Sequence, residues 1–348
     1  MGAKTIGVIG AGAWGTALAH ILASGGHEVE LWALEEDVVN SINTVHKNER
    51  YLKDFELSRK LKATSDIKQA ASDKDFLILA SPSLYLARTV TQIVDLPSIV
   101  NGSTCIGVLT KGFIPTDGGA KLILEVLETV LPFAYHKNLV YISGPSHAEE
   151  VASGKLTGLI AASENPKNSI RFRELLKVPG LMVFSSLDVV GVQICAAAKN
   201  IIAVVFGCLD AIAEQSSLFG DNTESLLLAA GLNEIQTLGF AMGATHAETF
   251  TSIAGVGDLE VTCRSHYGRN RRFGRDIILK NILEPFADLE NLIARINEIG
   301  YLPEGAVACK YVQEISRRLN IRLPICSGLY RILNKEIKPL DFLIELLR

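Results

Sequence analysis

The chain has 348 residues, 48% of them hydrophobic and 21% charged, with a formal net charge of -4. That length suits two domains with sizeable cores, and the apolar content excludes wholesale disorder. The mild acidity excludes a generally basic surface for nucleic acid or anionic membranes, so no nucleic-acid partner is expected.

In chain order, Met1 to Thr5 leads straight into an apolar run with no signal-peptide core, and Ile6 stands where N-myristoylation needs serine or threonine. Strands are predicted at Thr5–Ile9, Glu28–Ala33, Phe76–Ala80, Thr104–Leu109, Leu139–Ile142, Gly158–Ala162 and Leu181–Phe184. Helix-like segments such as Gly15–Ser24, Tyr85–Val94 and Gly119–Val130 fall between them. This alternation implies βαβ units and a mainly parallel, doubly wound sheet. After about Leu187 helical spacing takes over, at Asp188–Glu214, Thr223–Met242, Leu289–Ile299 and Pro303–Leu319. The expected organisation is an α/β Rossmann domain over residues 1–187 and an all-α domain over 188–348, with Asp188 capping the first helix of the second. The most apolar stretch, Val189 to Ile212, contains Gln193, Lys199, Asn200 and Asp210, which a membrane span would resist. A cytoplasmic protein without a membrane span is expected. The six cysteines, Cys105, Cys195, Cys208, Cys263, Cys309 and Cys326, form no CxxC pair, so neither a disulfide frame nor a metal site is expected.

The first strand runs into Gly10-Ala11-Gly12-Ala13-Trp14-Gly15 and then Thr16-Ala17-Leu18-Ala19. The glycines allow a tight turn, close approach to a pyrophosphate and close helix-on-strand packing, while the helix N-terminus favours the anion. A GxGxxG motif alone is weak evidence, but here it lies between a strand and a helix, as a dinucleotide site requires. Trp14 suits packing or cofactor contact equally. The second strand ends at Ala33-Leu34-Glu35-Glu36-Asp37, which offers acids and no arginine. A carboxylate there hydrogen-bonds the adenosine ribose of NAD, whereas arginine accommodates the NADP phosphate, so the cofactor is NAD or NADP with NAD favoured. Glu35 and Glu36 also suit a solvated helix start.

Three polar clusters follow strand ends: Ser81-Pro82-Ser83, Thr110-Lys111-Gly112-Phe113, and Ser143-Gly144-Pro145-Ser146-His147-Ala148-Glu149-Glu150. Ligands bind at that rim of open α/β sheets. In the helical half, Ala196-Ala197-Ala198-Lys199-Asn200 places a lysine amid apolar residues, where it must find a partner, neutralise, open onto a polar cavity or snorkel outward. Burial lowers a lysine pKa, which fits it for proton exchange. Ala254-Gly255-Val256-Gly257-Asp258 sets a carboxylate in a glycine-rich loop, and Gly268-Arg269-Asn270-Arg271-Arg272 forms either an anion site or a solvated basic turn.

These motifs, taken in order, closely resemble the bacterial-type NAD(P)-dependent glycerol-3-phosphate dehydrogenases, from Gly7 to about Ala308. The matching runs are G-A-G-A-W-G-T-A-L-A, L-T-K-G, S-G-P-S-H-A-E-E-V, A-A-K-N-I-I-A, G-V-G-D-L and G-R-N-R-R-F-G. The resemblance implies a Rossmann domain followed by a helical domain like the C-terminal domain of 6-phosphogluconate dehydrogenase. It implies Lys199 as catalytic acid/base, with Lys111, Gly144, Ser146, Lys199, Asp258, Gly268, Arg269 and Asn270 binding substrate. Gly10, Gly12, Ala13, Trp14, Gly15, Lys111, Ala148, Arg269, Leu302 and Glu304 would contact the cofactor. It further implies reduction of dihydroxyacetone phosphate to sn-glycerol 3-phosphate for phospholipid synthesis, by a cytoplasmic homodimer. Three departures stand out: Leu34 where NADP-using relatives are often basic, Gly268 in place of a serine and able to offer only its backbone N–H, and Tyr51-Leu52-Lys53-Asp54 in place of Y-L-P-G. Related β-hydroxyacid and 6-phosphogluconate dehydrogenases share the helix signal but take carboxylate substrates. A non-catalytic dinucleotide sensor would not need Lys111, Lys199 and Asp258 together.

Overall fold

The computed structural model describes residues 2–346 and divides into two compact units. One comprises Met1–Ile114 with Leu122–Val189, and the other Pro115–Lys121 with Val190–Arg348.

The first unit is built on an eight-stranded sheet. Its strands are β1 (Thr5–Ile9), β2 (Glu28–Trp32), β3 (Lys62–Thr64), β4 (Phe76–Leu79), β5 (Cys105–Val108), β6 (Val140–Ser143), β7 (Thr157–Ala162) and β8 (Leu181–Ser186). They lie in the order β8-β7-β6-β5-β4-β1-β2-β3. All neighbours are parallel except β6 and β7, which pair antiparallel through Ile142 opposite Ala161. β4, β5 and β6 are buried throughout, as strands covered on both faces must be, and this explains their uninterrupted apolar runs. Strand order reverses between β1 and β4, which opens a crevice at their carboxyl ends.

All seven strands expected from the sequence are present, Thr5–Ile9 without change and the others with one or both ends shifted by at most two residues. β3 was not expected: three residues at a sheet edge carry too little pattern to register. The helix expected from Gly119 starts only at Ile123, because Gly119 takes a φ of +99° that a helix cannot accommodate.

The second unit is helical. Its longest element, Val189–Ala213, is apolar and long enough to cross a membrane, yet 94% of its most apolar window is buried within the protein. Asp210 near its end is paired with Arg271 and Arg275. Two helices approach this one closely. A Cβ on Gly274, in the helix Arg269–Leu279, would lie 1.9 Å from the Val204 carbonyl oxygen, and one on Gly305 would lie 2.3 Å from that of Asn200. Only glycine allows such contact of backbones, and the contact fixes the turn that carries Lys199 and Asn200.

All six cysteines are buried and unbridged. Burial pushes the Cys105 thiol up to about 11 and that of Cys208 to about 12, so both stay protonated at neutral pH. Among the described residues no group of three or more His, Cys, Asp or Glu side chains could hold a metal.

Candidate active site

In the first unit the glycine-rich turn follows β1. Gly10 adopts a φ of +123°, and a Cβ on it would meet the Ala80 carbonyl carbon at 2.8 Å, so this turn tolerates no side chain. The helix Ala13–Ser24 starts at Gly12 without a side-chain cap, and a Cβ on Gly12 would point into open space. An uncapped helix start facing an open cradle fits a dinucleotide pyrophosphate, which would take the N–H groups that the helix cannot satisfy itself.

The strand ends around this cradle are tied to one another. The Ser81 hydroxyl donates to the Ile9 carbonyl at 3.2 Å, and the Thr110 hydroxyl donates to the Ser81 carbonyl at 2.7 Å. This chain of bonds links the ends of β1, β4 and β5 and places half-buried Lys111 on the rim. Trp14 Nε1 donates to Ser146 Oγ at 3.1 Å, and Ser146 Oγ donates to the Gly144 carbonyl at 2.9 Å. Trp14 thereby joins the phosphate loop to the turn after β6, and it also packs against the core. Gly144 has a φ of +130° and sits against the Gly158 carbonyl. Ala148 is buried at the start of the short helix that follows.

Two features of this unit were not read from the sequence. Asn48 is fully buried, and its amide donates at 2.8 Å to both the Ala11 carbonyl and Thr16 Oγ1 while its oxygen accepts from Tyr51 N–H at 3.0 Å. Its partners at positions 11 and 16 lie 37 and 32 residues away, so no local pattern announces it. The second feature corrects an expectation. The stretch after β2 itself lacks arginine, but the fold brings Arg50 to 3.8 Å from Glu35 and 3.9 Å from Asp37. Tyr51 Oη donates to Glu35 Oε1 at 2.8 Å, and the carboxylate and burial together raise the tyrosine pKa above its ordinary value, burial most.

In the second unit Lys199 is buried and its ammonium is hydrogen-bonded to the Asp258 carboxylate, so the lysine does not snorkel. Asp258 does not lie in a loop: Ile253–Gly257 form a π-helical turn, and Asp258 opens the helix Asp258–Arg264. Gly255 permits this turn, since a Cβ there would lie 2.0 Å from the Phe250 carbonyl oxygen. Asn200 bonds neither of these residues; its oxygen accepts from Asn270 Nδ2 at 2.9 Å, and its amide donates to Glu304 at 3.4 Å. Asn270 accepts in turn from Gly305 N–H at 2.8 Å. Buried Asn200 and Asn270 are thus fixed to each other, and half-buried Glu304 joins them through Asn200.

The basic run is a helix, Arg269–Leu279, rather than a turn. Arg271 and Arg275 are committed to Asp210, and Arg272 to Asp276. Arg269 is 57% exposed and has no such short partner: among the described residues its one ion pair is with Glu304, at 3.9 Å. The expectation that Gly268 offers its backbone N–H is also corrected, because that group donates to the Ser265 carbonyl at 3.2 Å. Leu302 is half-buried just ahead of Glu304, which opens the helix Glu304–Leu319.

Sequence profiles of the NAD-dependent glycerol-3-phosphate dehydrogenase N-terminus and C-terminus match residues 5–169 and 188–344 respectively. The chain belongs to this family. A glycerol-3-phosphate dehydrogenase [NAD(P)+] of Treponema denticola is 57% identical over 99% of this chain and 98% of its own length. One from Bacillus subtilis is 36% identical over 95% of this chain and 90% of its own. The crystal structure of glycerol-3-phosphate dehydrogenase from Coxiella burnetii superposes with a TM-score of 0.84 at 32% identity, covering 99% of each chain. The chain is thus an NAD(P)-dependent oxidoreductase with a small-molecule substrate.

Proposed function

We propose that Lys199 is the proton donor and acceptor of the reaction and that Asp258 holds it in place. As a member of its family the enzyme interconverts dihydroxyacetone phosphate and sn-glycerol 3-phosphate with NAD(P)H. The buried Lys199–Asp258 pair carries the reading, because a charged lysine in an apolar helix is costly unless a function retains it.

When bound, the reduced nicotinamide supplies a hydride to C2 of the ketone. Gly10, Gly12, Ala13, Trp14 and Gly15 seat the pyrophosphate at the uncapped helix start, with Ala148 supporting that turn. Lys111 polarises the C2 carbonyl oxygen. The Lys199 ammonium delivers its proton to that oxygen, and the Asp258 carboxylate orients the ammonium and compensates its charge. Gly144 and Ser146 shape the substrate wall. The exposed guanidinium of Arg269 and the backbone N–H of Asn270, at a helix start, hold the substrate phosphate, with Gly268 shaping the turn before them. The family resemblance further implies that Arg269, Leu302 and Glu304 would contact the cofactor.

Glu35 lies about twenty residues beyond the last glycine of the motif and takes the adenosine ribose hydroxyls, which makes NAD the favoured coenzyme. Residues 1–187 form the dinucleotide-binding domain and 188–348 the catalytic domain of a cytoplasmic homodimer whose product feeds glycerophospholipid synthesis. The deciding experiment follows NADH oxidation with and without dihydroxyacetone phosphate. Oxidation that depends on the ketone is expected, and oxidation driven instead by a 2-keto acid would sink the assignment. Sedimentation of the purified enzyme tests the dimer.

A further inference from the structure

We propose that Arg50 is a second determinant of coenzyme choice: it offsets Glu35 and supplies the positive charge that lets this enzyme accept the adenosine 2′-phosphate of NADP. The proposal rests on Glu35 being the ribose-binding carboxylate.

A carboxylate that binds two ribose hydroxyls also repels a phosphate attached to one of them. Arg50 sits against that carboxylate, 3.8 Å from Glu35 and 3.9 Å from Asp37, with its guanidinium 5.5 Å above the Tyr51 ring. It arrives from a different segment than the end of β2, where Leu34 points 75% exposed into solvent and offers no charge. The segment is not adrift. Asn48, two residues earlier, bonds the Ala11 carbonyl on the phosphate loop and Thr16 on the helix that follows it, and the Leu52 N–H donates to the Asn48 carbonyl at 2.9 Å. Arg50 therefore keeps a fixed root relative to the glycine-rich turn while its tip remains 52% exposed. An exposed ion pair beyond 3.5 Å contributes little, so the guanidinium exchanges readily from Glu35 to a stronger anion. A phosphate monoester with nearly two charges and three acceptor oxygens is such an anion, and the guanidinium fork matches it. Tyr51 holds Glu35 Oε1 by its hydroxyl at 2.8 Å, so Glu35 keeps a partner after Arg50 leaves. With NAD bound, Arg50 stays on Glu35 and Asp37 and makes no demand on the coenzyme.

The test is calorimetric titration of the purified enzyme with NADH and with NADPH, reading the ratio of the two dissociation constants. Arg50→Ala should raise the NADPH-to-NADH ratio about tenfold, the size of one charge-assisted phosphate contact, and Arg50→Lys should recover part of it. Raising the salt concentration should weaken NADPH more than NADH in the parent and no longer do so in Arg50→Ala. A ratio left unchanged by Arg50→Ala overturns the role of Arg50. Glu35→Gln should move the ratio the other way, towards NADPH. If Glu35→Gln leaves the ratio unmoved, the ribose reading of Glu35 fails on its own, whatever Arg50 does.

Discussion

Lys199 and Asp258 face each other as an ion pair with side chains only 6% and 1% exposed. Two charges this deep are retained at a cost in desolvation, and neither is tolerable alone. Asp258→Asn should therefore destabilise the protein by about 3–5 kcal/mol, the usual penalty for stranding one member of a buried pair. Lys199→Met should cut turnover by about 10²–10⁴-fold, the range for loss of a general acid, while calorimetric binding of NADH stays near that of the parent. The double variant Lys199→Met with Asp258→Asn should lose less stability than the two single losses added together. Additive losses on thermal unfolding would mean that the pair is not coupled.

Arg269 separates from its arginine neighbours by what it lacks. Arg271 and Arg275 tie their helix to Asp210 on the long helix and Arg272 pairs with Asp276 one turn along its own helix, whereas among the described residues Arg269 has one long contact, with Glu304. Arg269→Ala should leave the unfolding temperature almost unchanged and raise the KM for dihydroxyacetone phosphate by at least about tenfold, as loss of a charged phosphate contact does. An unphosphorylated ketone analogue should be used equally well by both proteins. Equal damage to both substrates would assign Arg269 to structure instead.

Glu234 supplies a pH-dependent term of its own. Its carboxylate is buried and accepts from the Ile325 and Cys326 N–H groups at the start of the helix Pro324–Leu333. Burial raises its pKa above the ordinary 4.5, and the two N–H donors only partly offset this. A group whose pKa is raised on folding contributes stability that is fully present below the unfolded value and is lost as pH rises through the folded value. The advantage of the parent over Glu234→Gln should thus be fully present below pH 4.5 and shrink as the pH rises above it. Unfolding temperatures of both proteins across that window check this, and an advantage that grows with pH would contradict it.

The dinucleotide cradle was legible because its signals are local: Gly10, Gly12 and Gly15 follow a strand and open a helix within a dozen residues. Lys199 was legible by contrast with its apolar neighbours. The helix Arg269–Leu279 was not recognised as one, although Asn270, Phe273, Gly274 and Ile277 are all buried at helical spacing. Four arginines in that stretch masked the period, and their partners on the long helix lie about sixty residues away. Arg50 was invisible for a related reason. It belongs to an irregular segment whose position is decided by Asn48, not by its own propensity.

Asn48 is accordingly the residue whose removal should be felt furthest from its place in the chain. Its side chain is fully buried and ties the Tyr51 N–H to the Ala11 carbonyl and the Thr16 hydroxyl, which are themselves hydrogen-bonded at 3.1 Å. The Tyr51 N–H loses its acceptor while the Ala11 carbonyl and Thr16 hydroxyl keep each other, so Asn48→Ala should lower stability by about 1–3 kcal/mol, the cost of one buried polar group left unsatisfied. Loss of stability alone would not set it apart from any buried asparagine. The distinguishing effect is on binding: the Ala11 carbonyl keeps the Thr16 hydroxyl but loses its tie to the segment around Tyr51, which loosens the turn that seats the pyrophosphate, a group NADH and NADPH share. Both dissociation constants should rise by a similar factor, in contrast to the selective shift expected for Arg50→Ala. Asn48→Asp restores the acceptor for Tyr51 N–H but places a carboxylate oxygen against the Ala11 carbonyl, so it should bind both coenzymes as poorly as alanine does. Tight coenzyme binding by Asn48→Asp would show that the phosphate loop does not depend on this tie.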